Sequence, residues 1–327
     1  MGGDALRFSR ERILAESAST GFRPEVLEKV AHLFSLLQGI WKHPFLKNRL
    51  VLKGGTALNL FIFNVPRLSV DIDLNYIGAP DKETMLAERQ KMDKAIEAVC
   101  QREGFMLRHS PAEHAGGKWL LRYESVFGHG ANLTIDVNFM FRIPLWPVVM
   151  SRSHKVGPYM AEQIPILDVN EIAAGKLCAL LSRKTGRDLF DAHQLLTKKV
   201  LIRERLRQAF IVYGAMDRKD WRNVSEQDIG YRANELMNEL MPVLRSHEID
   251  DFDHEAWASR LVNECRNAIS IVLPFTEGER EFLDRILDHG EIIPSLLTSD
   301  EEMANKIRNH PGLQWKALNV REFRGEG

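Results

Sequence analysis

Two acids, Asp71 and Asp73, stand one residue apart in the segment Arg67-Leu68-Ser69-Val70-Asp71-Ile72-Asp73-Leu74. Successive residues of a strand point to opposite faces, so this pair shares one face while Val70, Ile72 and Leu74 take the other. Carboxylates held side by side repel each other. The natural cation to relieve that repulsion is Mg²⁺ carrying a nucleoside triphosphate. Upstream, Lys53-Gly54-Gly55-Thr56 follows the short apolar run Leu50-Val51-Leu52. Glycines after a strand let backbone N–H groups approach a ligand closely, and the following helix turns its positive end to the same point. Phosphate oxygens are therefore the expected guest, with the Thr56 hydroxyl as a further donor. A third acid, Asp136, lies out of phase with Ile135, Val137 and Phe139. A two-metal phosphoryl site calls for such a carboxylate, here to bind metal and help deprotonate an attacking hydroxyl. Lys176 and Arg183 are seven residues apart and fall on one side of a helical segment, with Arg187 extending the stripe if Gly186 does not break it. Such cations would neutralise a triphosphate and the pyrophosphate that leaves. For Arg187 and Asp188 two readings stand: an internal pair that fixes two helices, or a direct role for Asp188 at the nucleotide. Together these residues point to nucleotidyl transfer.

Their positioning needs a scaffold, and the hydrophobic pattern supplies one. Apolar spacing predicts a helix over Pro24–Trp41, a strand at 50–52, a helix over 56–63 stopped by Pro66, and a strand over 68–76. A long charged helix follows over 83–103, with Met85, Met92, Ile96 and Val99 inward. Strands are expected at 105–108, 119–126 and 133–140, joined by turns at Gly116-Gly117 and Gly128-His129-Gly130. From Val169 onward the pattern is helical almost throughout. The expected class is α+β, a small mixed sheet with flanking helices followed by an all-helical domain. The boundary is expected near 160, giving domains 1–160 and 161–327, the second contributing Lys176 and the Arg187-Asp188 segment to the site.

At 327 residues the chain has material for two cores. Lys and Arg number 44 against 45 Asp and Glu, so no global basic field advertises nucleic acid, and an RNA partner would need a local patch. Arg203, Arg205, Arg207, Arg218, Lys219 and Arg222, with Trp221 among them, are the expected patch. Three widely spaced cysteines (Cys100, Cys178, Cys265) suggest neither a disulfide framework nor zinc, and fit a reducing cytoplasm. No apolar run reaches the roughly 20 residues that span a bilayer. The N-terminus lacks the basic-then-apolar layout of a secretory signal, and Leu6 stands where a myristoylation motif needs Ser or Thr.

Taken in order, these motifs resemble the AbiEii/AbiGii toxin family of nucleotidyltransferases, within the DNA polymerase β-like superfamily. The likeness rests on Leu52-Lys53-Gly54-Gly55-Thr56-Ala57-Leu58, then Arg67-x-Ser69-x-Asp71-Ile72-Asp73-Leu74, then Ile135-Asp136. It continues through Ala174-Gly175-Lys176-Leu177 and Arg187-Asp188-Leu189-Phe190-Asp191, and spans residues 25–195. It implies a polymerase β-like domain with Asp71 and Asp73 at the metal, beside the Asp136 that strand phase already adds, and with Lys176 and Asp188 among the active-site residues. It makes Gly54-Gly55-Thr56 the phosphate-binding turn and Lys176 the triphosphate contact, with Ser69 and Arg183 as further residues expected at the nucleotide. Gly175 departs from the pattern, because many relatives carry Glu before the lysine. The resemblance also implies Mg²⁺ and NTP, a tRNA 3′ end as acceptor with translation blocked, and the toxin half of a type IV toxin–antitoxin or abortive-infection pair. Its cognate antitoxin would be a transcriptional regulator. Transfer to a protein or small-molecule acceptor, or GTP binding without transfer, are the competing expectations.

Overall fold

The computed structural model describes residues 9–109, 116–246 and 253–325. The myristoylation motif at Met1-Gly2 and Leu6 lies outside them. Within the described chain two compact units form, each assembled from more than one stretch: Met1–Arg142, Val148–Leu167 and Met241–Asp251 make the first, and Ile143–Pro147, Asp168–Leu240 and Phe252–Gly327 the second.

The first unit opens with helices α1 (Arg10–Thr20) and α2 (Pro24–Lys42), the latter with its proline in the first turn as expected. Strand β1 (Leu50–Leu52) leads into α3 (Gly54–Thr56), which runs on as a π-helical stretch, Ala57–Ile62. Then come β2 (Asp71–Tyr76), α4 (Lys82–Arg102), β3 (Met106–His109), β4 (Gly116–Glu124), β5 (Gly130–Asn138), β6 (Val149–Ser151) and β7 (Ile164–Ile166). Helix α4 starts where Asp81 accepts the Thr84 N–H at 2.7 Å, and its inner stripe is the one the spacing gives.

The strands form one seven-stranded sheet in the order β3-β4-β5-β2-β1-β7-β6. It is mixed: β2 runs parallel to β5 and β1 parallel to β7, while the remaining pairs are antiparallel. Its register is fixed by burial. Ile72 and Leu74 on β2, Trp119 and Leu121 on β4, and Ile135 and Val137 on β5 are all fully buried. A slip of one residue would turn these side chains to the open face, at about 1.5–3 kcal/mol each.

Three expectations are corrected. Gly116 and Gly117 do not form a turn; they pair with Asn138 and Val137 as the first residues of β4. The second strand begins at Asp71 rather than 68. The sheet also gains β6 and β7, and β7 joins β1 in parallel (Leu52 opposite Ile166), so residues 164–166 belong to the sheet although they fall in the stretch read as helical.

The second unit is helical. It contains α5 (Val169–Arg183), α6 (Gly186–Lys198), α7 (Arg203–Ala215), and α8 (Ala233–Glu235), which continues as a π-helical run to Leu240. Helices α9 (His254–Ala268), α10 (Glu277–His289), α11 (Glu301–Arg308) and α12 (Pro311–Arg324) complete it. Asp168 caps α5 and Thr185 caps α6. Between them Lys184 takes a left-handed conformation at φ 56°. The helix thus ends at Arg183, so Arg187 does not extend the Lys176–Arg183 stripe. No described helix is long and apolar enough to cross a membrane.

Candidate active site

The acids meet on the open face of the sheet. Parallel pairing sets Asp73 opposite Asp136 and Asp71 opposite Thr134, and paired residues on neighbouring strands point the same way. Adjacent strands lie about 4.8 Å apart, so Asp73 and Asp136 stand side by side. Flanking cations complete the row. Lys53 donates its N–H to the Asp73 carbonyl at 2.9 Å, and Lys118 on β4 lies directly opposite Asp136. The Asp136 carboxyl is pushed up by burial first and then by the charge of Asp73, with Lys53 and Lys118 opposing and Asp71 adding a little. Such crowding of like charge is what a dication relieves.

Beside the acids is the glycine turn. Gly54 has φ 69°, and a Cβ built on it would run into the Asp73 carboxylate. Only glycine serves here, on conformational and steric grounds alike. The turn therefore bends directly against the acid pair.

Thr56 and Ser69 differ from expectation. Thr56 is fully buried, and its hydroxyl lies 2.5 Å from the Asp71 carbonyl and 3.0 Å from the Ser69 hydroxyl. Ser69 is itself buried. These groups tie α3 to the start of β2 rather than offering themselves to a phosphate. Their pairing is tertiary, so the local sequence carries no sign of it.

Among the described residues no group of three or more His, Cys, Asp or Glu side chains makes a ready-formed metal cage. Mg²⁺ ordinarily takes only one or two carboxylates and completes its shell with water and substrate phosphates. A carboxylate-only donor set with crowded negative charge fits that ion.

In the second unit, Lys176, Arg183 and Asp188 come together. Lys176 Nζ is 2.7 Å from Asp191 and 3.3 Å from Asp188, and Arg183 reaches Asp188 at 2.9 Å. Thr185 donates its hydroxyl to Asp188 at 2.8 Å. Burial alone would push the Asp188 carboxyl up. Lys176, Arg183 and Thr185 outweigh it and hold that carboxyl below the usual range. Arg187 pairs with Glu239 at 3.0 Å. Asp191, fully buried beneath Lys176, is a member of this cluster that the sequence reading passed over. Its spacing of three from Asp188 on α6 was the available signal.

The basic patch expected to greet RNA is mostly spent internally. Arg207 is held by Glu279 and by the carbonyls of Ile271 and Pro274. Arg222 pairs with Asp220, Asp284 and Asp288, and Lys219 with Asp228 at 2.6 Å. Arg205 pairs with Asp168 and lies over Trp146. Trp221 is fully buried against Phe210, out of reach of any base. Arg203 and Arg218 remain exposed.

A family model described as the nucleotidyl transferase AbiEii toxin of type IV toxin–antitoxin systems matches residues 35–264. The chain belongs to this family of nucleotidyltransferase toxins. Among solved structures it is similar to MenT4, a nucleotidyltransferase toxin from Mycobacterium tuberculosis H37Rv. That likeness has 17% identity and a TM-score of 0.55, and covers 94% of this chain and 99% of that one. At this identity it speaks for the fold. A putative nucleotidyltransferase from H. pylori aligns at 17% identity and a TM-score of 0.44, over 78% of this chain and 100% of that one. Comparison with curated proteins gives no match.

Proposed function

We propose that this chain moves a nucleoside monophosphate from an NTP onto an RNA hydroxyl, the 3′ end of a tRNA, and so blocks translation. One observation carries the reading: the glycine turn bends against Asp73, which stands in register with Asp136. The turn's backbone N–H groups receive phosphate oxygens. Asp71, Asp73 and Asp136 would hold Mg²⁺. When bound, the ion supplies charge neutralisation at the triphosphate and at the leaving pyrophosphate. The hydroxyl oxygen bonds to the α-phosphorus as the bond to pyrophosphate breaks, and Asp136 receives the hydroxyl proton. Lys176 and Arg183 are assigned to the triphosphate, with Asp188 fixing both. The family's type IV system implies an antitoxin partner, and our reading takes that partner to be a transcriptional regulator and the site of action to be the cytoplasm.

Incubating the protein with tRNA, Mg²⁺ and each labelled NTP tests the reading, and label is expected on the RNA. Label on protein or on a small molecule would replace the acceptor. Tight NTP binding with no label moved would remove the enzyme.

A further inference from the structure

The row Asp73–Asp136–Lys118 continues onto β4, and there the sheet's open face changes sign. Strand β4 alternates strictly: Trp119, Leu121 and Tyr123 are buried, and Lys118, Leu120 and Arg122 are exposed. Lys118 lies opposite Asp136, Leu120 opposite Thr134 and Arg122 opposite Asn132, so all three share the face of the acids. Neither Lys118 nor Arg122 has a carboxylate within ion-pair distance among the described residues. The basic residues of α7 and the turn after it are, by contrast, mostly paired. The Arg122 guanidinium lies along the strand beside Gly130, where a Cβ would stand 3.1 Å from its terminal nitrogen. A cleft of about 210 Å³ lined by Leu120, Arg122, Gly130 and Asn132 opens there. Leu120, 40% exposed, supplies an apolar surface between the two cations. Glu124 closes the cationic stretch at the hairpin.

We propose that this face of β4 is the acceptor track: Lys118 and Arg122 hold successive phosphates of a single-stranded nucleic-acid end and lead its terminal hydroxyl to the acids. The proposal rests on the nucleotidyl-transfer reading above and adds where the acceptor lies. Four residues of strand separate the two cations by about 13 Å. An extended polyanion can touch both at once; a small acceptor beside Asp136 reaches Lys118 alone. Nucleic acid also suits the cleft at Leu120 and Arg122, because sugars and bases offer faces that pack on apolar side chains.

The test uses the full chain and a fluorescently labelled tRNA, with affinity measured by anisotropy across a salt series. Each phosphate contact on a single strand contributes about 0.7 to the slope of log K against log salt. Lys118→Ala/Arg122→Ala is expected to lower that slope by about 1.4 and to weaken binding at least tenfold at low salt. Lys118→Arg/Arg122→Lys keeps both charges and is expected to restore the slope. Circular dichroism checks that both variants fold. A double-alanine protein with the slope and affinity of the parent, which itself labels RNA, overturns the track and leaves the RNA reading standing. A parent that labels protein or a small molecule instead of RNA overturns both.

Discussion

At the scale of single residues, Gly54 and Asp73 form one device. Asp73→Ala is expected to abolish label transfer while the thermal midpoint stays near that of the parent, because a half-buried acid among like charges contributes little to the fold. Gly54→Ala is expected to abolish transfer and also to cost about 1–2 kcal/mol in urea unfolding, since its Cβ meets the acid at a positive φ. Glu171 offers a different test. Fully enclosed on α5, it accepts from the Tyr213 hydroxyl at 2.5 Å and from the Leu145 N–H at 3.1 Å. Burial pushes its carboxyl up to about 7, against the pull of those donors. A folded value above the unfolded one means the folded state keeps a proton that the unfolded chain has lost. The stability this contributes is full below about pH 4.5, declines as pH rises toward 7, and levels beyond. Glu171→Gln should flatten that decline in denaturation curves between pH 4 and 8. That Asp71, Asp73 and Asp136 lie out of phase with the buried residues of their strands was legible from strand period alone. Lys53 and Lys118 were not, because only cross-strand register brings them beside Asp73 and Asp136, and register is not written in either strand by itself.

At the scale of elements, α5 and α6 are joined through a buried charge cluster rather than by apolar packing alone. Lys176 sits between Asp188 and Asp191, the latter wholly enclosed. Lys176→Met would remove the cation that buried Asp188 and Asp191 share, with Arg183 and Thr185 left on Asp188. A loss of about 3–5 kcal/mol is expected, read as a fall in the urea midpoint. Adding Asp191→Asn should return part of it. The long helices α2 and α4 and the strands β4 and β5 were readable because each repeats its period over many residues. The three-residue strands β6 and β7 show less than two periods, so nothing local separates them from loop. Gly186 is the only residue there that composition marks as able to interrupt the stripe, but Lys184 makes the break. A left-handed lysine gives no compositional signal.

At the scale of the whole molecule, neither unit is a single run of chain. The sequence reading found the change from sheet to helix but put it at 160, short of β7. It also missed the exchange of 143–147 and 241–251, which no periodicity marks. A fragment of residues 1–160 would lack both β7 and the strand of chain that supports the approach to β2. It is expected to show no cooperative unfolding transition by circular dichroism, whereas the intact chain does. That support is specific: the Leu68 N–H, three residues before Asp71, donates to the Val243 carbonyl at 2.8 Å. On the ribosome, residues near 70 emerge long before residue 243. At about 5–20 residues per second the interval is on the order of ten seconds. Throughout that time the loop entering the acids lacks one of its native tethers, so a nascent toxin reaches its competent shape only late in its own synthesis. An interrupted translation product ending before residue 243 would never acquire that tether.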